Sequence, residues 1–151
     1  MSADGLAGRL VGTWLLEGYL SDEPDGTVRE PFGPDATGVL IYLPDGRMAV
    51  QVMDPRRPRW TRGAGDDERR AQAAAAAEGY IAYAGRFEVE EGPPAVVVHH
   101  VEISLVPNRV GRPQRRAVAL DGDRLELTAE PLDVAGRSEI PRLRWRRAPG
   151  G

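Results

Sequence analysis

Along most of this chain hydrophobic and polar residues alternate in short runs broken by Pro, Gly and Asp, which predicts antiparallel strands packed as a sandwich or barrel. Residues 10–20 read as the first strand, with Trp14, Leu16, Gly18 and Leu20 on one face. A polar, proline-containing loop occupies 22–36. Residues 38–43 and 47–53 form a hairpin about Pro44-Asp45-Gly46, where Gly46 can take a left-handed conformation. That hairpin puts Leu40 and Tyr42 on the same face as Met48, Val50 and Val52.

The period changes after a loop at 54–65 that is rich in Arg and Pro. Asp66 or Asp67 caps a helix running to Glu78, and Asp67 and Glu68 suit its positive end. Its Ala-rich centre forms helix readily but has little bulk, so it can lie on a surface without adding much core. Gly79 ends this helix, or Tyr80, Ile81 and Tyr83 extend it by a turn. Strands resume at 86–90, 96–105, 114–120, 124–128 and 139–146, with a tight turn at Asp121-Gly122. Across that turn Gln114, Arg116, Val118 and Leu120 share a face with Leu125 and Leu127. The sum is an all-β chain of about eight strands with one helix between strands three and four. Eight antiparallel strands close into a barrel wide enough for side chains or one small ligand. One domain spans 10–147, between flexible ends at 1–9 and 148–151.

Composition removes several kinds of chemistry. Lysine is absent, so all 20 basic residues are arginine and no Schiff base can form. Cysteine is absent, which excludes a thiol nucleophile, a disulfide framework and a thiolate metal site. A net charge of −3 gives no electrostatic reason to expect nucleic acid. The first residues lack the apolar centre of a signal peptide, and no apolar run approaches a membrane span, so the cytoplasm is the default location.

The candidate chemistry centres on the chain's only two histidines, His99 and His100, inside the β-forming run 95–105. Neighbours on a strand point to opposite faces, so one of the pair faces the interior. Hydrophobicity alone turns His99 inward with Val97, Val101, Ile103 and Leu105. The alternative turns His100, Glu102 and Ser104 into the lumen beside Tyr42 and Arg116. An inward Arg116 needs a carboxylate or an anionic ligand, because an unpaired buried guanidinium is costly, and Glu102 is its natural partner. Two diverging histidines without thiolates make a poor metal site. Trp14 and Trp145 read as core where the first and last strands meet. Trp60, among Arg56, Arg57, Arg59 and Arg62, reads as an exposed loop residue or a partner contact.

Several segments together resemble the bacterial and fungal lipocalin-like domain family. They are Gly12-Thr-Trp14, residues 34–42 with Asp45-Gly-Arg-Met48, and Gly79-Tyr-Ile-Ala-Tyr83 with Gly85. The likeness continues in His99-His-Val-Glu102, Ser104, Pro107-Asn108, Gly111, Gln114-x-Arg116, Leu120-x-Gly-Asp-x-Leu125 and Leu143-x-Trp145. The resemblance implies a lipocalin-type barrel with Trp14 near its closed end and Arg144 or Arg146 packed over it. It also implies a lumen for a small hydrophobic molecule, and similar barrels serve as carriers or as natural-product cyclases and isomerases.

The leading expectation is a cofactor-independent cyclase or isomerase. His100 (or His99) moves the proton, Glu102 orients it, and Arg116 and Tyr42 stabilise oxyanion charge. Leu40, Met48, Val50, Tyr80, Tyr83, Asn108, Gln114, Val118 and Trp145 are the expected ligand contacts. The alternative is a non-catalytic carrier or sensor, and a third reading has the Trp60 loop bind a partner chain. No cofactor, metal, nucleic acid or membrane is expected, and nothing in the sequence prevents a homodimer.

Overall fold

The computed structural model describes residues 5–130, 132–134 and 137–150. Its elements are α1 (Leu6–Leu10), β1 (Gly12–Asp22), β2 (Val28–Arg29), β3 (Thr37–Tyr42), β4 (Arg47–Met53), α2 (Asp66–Glu78) and β5 (Tyr80–Glu90). They continue with β6 (Val96–Ser104), a 3-10 turn (Pro107–Arg109), β7 (Pro113–Asp121), β8 (Arg124–Ala129), β9 (Leu132–Val134) and β10 (Arg137–Arg147). Of the ends expected to be flexible, 1–4 and 151 lie outside the described residues.

Eight strands, in the order β1-β3-β4-β5-β6-β7-β8-β10, close into an antiparallel barrel through pairing of β10 with β1. The short β2 and β9 hang on the outer edges of this order. Because β2 forms inside the supposed loop, by pairing Val28 and Arg29 with Asp22 and Ser21, the helix α2 lies between β4 and β5 rather than after a third strand. Gly65, not Asp66 or Asp67, is its N-cap residue, and both aspartates sit in the first turn with Glu68. No residue of α2 is buried, as expected of its small side chains. Gly79 ends the helix, and Tyr80 to Tyr83 belong to β5, where they pair with β4 from Met53 back to Val50.

The hairpin register is as expected: Leu40 faces Val50 and Tyr42 faces Met48, all four buried. Two bulges overturn simple alternation elsewhere. In β1 the register shifts between Leu16 and Gly18, so Trp14, Leu16, Tyr19 and Ser21 turn inward and Gly18 and Leu20 do not share that face. In β6 the partner of Ala84 is Ile103 and that of Gly85 is Val101, which leaves Glu102 as the extra residue. Ile103 and Leu105 therefore turn to solvent, Ile103 at 70% exposure, and leave the His99 face. Gly85 makes this bulge feasible, since a Cβ there would lie 1.9 Å from the His100 carbonyl oxygen.

The core contains Leu10, Trp14, Leu40, Tyr42, Phe87, Val97, Leu125, Leu127 and Trp145. Each large apolar side chain fully withdrawn from water contributes roughly 1.5–3 kcal/mol. One end of the barrel is shut by α1: buried Leu10 accepts the Trp14 Nε1–H at 2.9 Å. Arg147, not Arg144 or Arg146, lies over the Trp14 ring at 4.2 Å, because Arg147 is the residue opposite Trp14 in the β1–β10 register. Its guanidinium also donates to the carbonyls of Val11 (2.9 Å) and Arg9 (2.7 Å). Arg144 and Arg146 pair with Glu126 and Glu17 outside. Among the described residues no helix is long and apolar enough to cross a membrane.

Candidate functional site

Inside the barrel lies a narrow, partly open cavity of about 70 Å³. Leu40, Val50, Val52, Ile81, Leu127, Pro141, Leu143 and Trp145 give it apolar walls, and Tyr19, Tyr83, His99, Arg109 and Arg116 supply the polar groups. A concave, mostly apolar space with a few convergent polar groups is the usual form of a small-molecule site.

His99, 2% exposed, is the hub of these groups. It projects inward from β6 because Val97 and Val101 on the same face fill the core. Its Nε2 is 2.6 Å from the Tyr42 hydroxyl, and its Nδ1 is 2.7 Å from the Tyr83 hydroxyl. Burial, reinforced by the charges of Arg116 and His100, lowers its pKa from 6.5 to about 3, so the imidazole is neutral at physiological pH. A neutral imidazole carries one proton, and hydrogen-bond accounting assigns it. Fully buried Tyr42 has His99 Nε2 as its one hydrogen-bond partner among the described residues, so its O–H must donate there. The proton then sits on Nδ1, which donates to the Tyr83 oxygen. Tyr83 is left with its own O–H free to donate into the cavity.

The surroundings favour that donor role. Burial raises the Tyr83 pKa, while Arg116 and then Arg109 oppose the rise. Tyr42 is pushed up well above its ordinary value, by burial first and by Tyr83 second. Arg109 reaches the Tyr83 ring from the 3-10 turn, 5.8 Å from its centroid. Arg116 donates to the Arg115 carbonyl at 2.9 Å and weakly to Gln114 Oε1 at 3.5 Å. Among the described residues no carboxylate lines the cavity or pairs with Arg116. The Trp145 indole N–H is buried and has no hydrogen-bond partner among the described residues.

The alternative that turned His100 and Glu102 into the lumen is not what the barrel adopts. His100 faces out and meets Glu88 at 2.6 Å. Glu102 lies at the bulge with Arg47 at 3.2 Å and Arg86 at 3.6 Å. Charged partners in water avoid the desolvation cost that the lumen would impose. Glu102 therefore cannot neutralise Arg116, which stands opposite Val97 in the register.

Of the expected ligand contacts, Leu40, Val50, Tyr83 and Trp145 line the cavity and five others do not. Met48 packs in the core and does not line the cavity. Tyr80 is outside, bonded to Gln51 and stacked under Arg57 at 4.9 Å. Asn108 is exposed in the 3-10 turn. Gln114 supports Arg116 from behind, and Val118 packs on the core and borders a separate groove with Leu125 and Trp145. Two polar lining residues escaped sequence reasoning: Tyr19 is turned in by the β1 bulge and Arg109 by a loop, and neither device leaves a periodic signal. Trp60, 69% exposed, stays in its loop and does not line the cavity.

Comparison with known proteins agrees with this architecture. Over 111 residues the chain is 39% identical to a protein of Aspergillus oryzae named 4'-hydroxy-3'-methoxypropiophenone carrier protein ppsC, covering 68% of this chain and 97% of that one. No solved structure matches at a significant level. The profile of the lipocalin-like domain matches residues 11–148, nearly the whole barrel. With a closed eight-stranded barrel and that match, the chain belongs to the lipocalin-like domain family.

Proposed function

We propose that this protein is a carrier of a small hydrophobic, carbonyl-bearing aromatic molecule, held in the barrel lumen. One observation carries the reading: an apolar cavity whose polar edge is formed by the Tyr83 hydroxyl and the Arg116 guanidinium, with no carboxylate among its described lining residues. Unsatisfied buried donors are costly, and a ligand carbonyl or ether oxygen removes that cost while the walls cover its ring. The relative named as a carrier of an aromatic ketone points the same way.

A second reading, a cofactor-independent cyclase or isomerase, draws on the Tyr42–His99–Tyr83 chain, which could present the Tyr83 proton to a reacting carbonyl. His100 and Glu102 take no part in that version, and Arg116 would stabilise the developing oxyanion. One experiment separates the two. Purified Trp60→Phe protein is titrated with para-methoxyacetophenone while the remaining tryptophan fluorescence, to which Trp145 at the cavity wall contributes, reports occupancy, and the compound is afterwards recovered and analysed by chromatography. Carriage predicts saturable quenching, unchanged compound, and affinity reduced about tenfold or more by Val50→Phe, which fills the cavity. Quenching unaffected by the plug, or none, sinks the lumen as the binding site.

A further inference from the structure

The lumen is one-sided in its chemistry. Every element that faces it contributes either apolar surface or a hydrogen-bond donor. Arg109 enters from the 3-10 turn, Arg116 from β7 and Tyr83 from β5, and the neutral His99 of β6 has both nitrogens engaged by tyrosines. Tyr19 of β1 is the remaining titratable group; burial raises its pKa, with Arg109 and Arg116 acting against Glu139. Glu139 itself accepts from Ser21 at 3.1 Å and from Arg29 at 2.9 Å, so its charge is already met. The balance is two guanidinium charges at the cavity with no carboxylate among its described lining residues.

A neutral ligand does not resolve this imbalance, whereas an anion does. We infer that the lumen selects the ionised form of an aromatic oxygen acid, a phenolate or carboxylate, whose negative oxygen lies between Arg116 and Arg109 and accepts from Tyr83. Charge-assisted hydrogen bonds to guanidinium are about twice as strong as neutral ones, and they gain further in a water-poor cavity. The protein would thus draw a weak acid into its anionic state on binding. The inference rests on the carrier reading, since it names the ligand class that the same lumen takes.

The test compares para-hydroxyacetophenone with its methyl ether, para-methoxyacetophenone. The hydroxy compound changes its near-ultraviolet absorption on ionising, at wavelengths longer than protein absorbance, so the bound species can be read directly. About one pH unit below its own pKa, the bound phenol should show the phenolate spectrum. It should bind about tenfold or more tightly than the ether, and its ionisation should shift down by about one unit in the complex. Arg116→Met should abolish the shift and cost the phenol more affinity than the ether, so that the two affinities come together. If Arg116→Met fails to fold, as judged by circular dichroism, Arg109→Met at the mouth should reduce the shift in the same direction. Equal affinities with a neutral phenol spectrum would overturn anion selection and leave carriage standing. Binding of neither compound, nor of 1-naphthoate, would overturn both.

Discussion

Acidification from pH 7 to 5 should remove about 2 kcal/mol of folding stability through His99 alone. In the folded protein this imidazole titrates at about 3, whereas in the unfolded chain it returns to 6.5. The unfolded state therefore binds more protons throughout this window, and stability must fall as the pH falls. The difference of protonation free energies, integrated over two pH units, gives the 2 kcal/mol. Other depressed groups do not blur the effect. Asp22, Asp54 and Glu90 have lowered pKa values, so their stabilisation is lost only as the pH drops below their ordinary values of 3.8 to 4.5. The assay is urea denaturation followed by far-ultraviolet circular dichroism at pH 7, 6 and 5. His99→Gln is the comparison, because an amide can still donate and accept between Tyr42 and Tyr83 but does not titrate. The variant should start less stable and lose little more on acidification. In thermal melts the same loss is about 4–8 °C for a chain of this size. A wild-type protein as indifferent to pH as His99→Gln would refute the neutral, fully desolvated histidine on which the site is built.

Two further substitutions probe the frame that holds the site. Gly85→Ala should cost about 3 kcal/mol in chemical denaturation, because the added Cβ meets the His100 carbonyl at 1.9 Å and the β6 bulge cannot retreat without losing pairing; an unchanged midpoint would contradict this. Arg147→Met should cost about 2 kcal/mol by removing the cation over Trp14 and the two carbonyl contacts at the closed end, with a melting point lowered accordingly; an unaltered melt would show that α1 closes the barrel unaided.

The placement of His99 also links stability to function. A protonatable group buried without a counter-ion lowers stability in acid, so its presence in the core calls for a use. Its use here is to fix the direction of a hydrogen-bond chain. By accepting from Tyr42 and donating to Tyr83 it turns the outermost hydroxyl into a donor toward the cavity. Replacing Tyr42 with a non-donor would free the tautomer and blur that direction, even though Tyr42 itself does not line the cavity.

Local pattern in the amino-acid sequence was enough to determine the eight barrel strands in outline (though not β2, β9 or the start of β5 at Tyr80), the Pro44-Asp45-Gly46 hairpin, the Ala-rich helix and the face shared by Leu40, Tyr42, Met48 and Val50, because a side-chain period of two depends only on neighbours along the chain. Burial preference also pointed His99 inward, though Arg116 without an obvious partner argued for His100. Tertiary structure decided the rest. Two bulges, each arising from pairing with a strand distant in sequence, turned Tyr19 in and Ile103 out and left Glu102 in solvent. Closure of β1 on β10 chose Arg147, not its neighbours, to cover Trp14. The loop that brings Arg109 over Tyr83 has no periodicity to read. Alternation is a local property, whereas register, bulges and the meeting of loops with strands are set by which chains lie side by side, and that adjacency exists only once the barrel has closed.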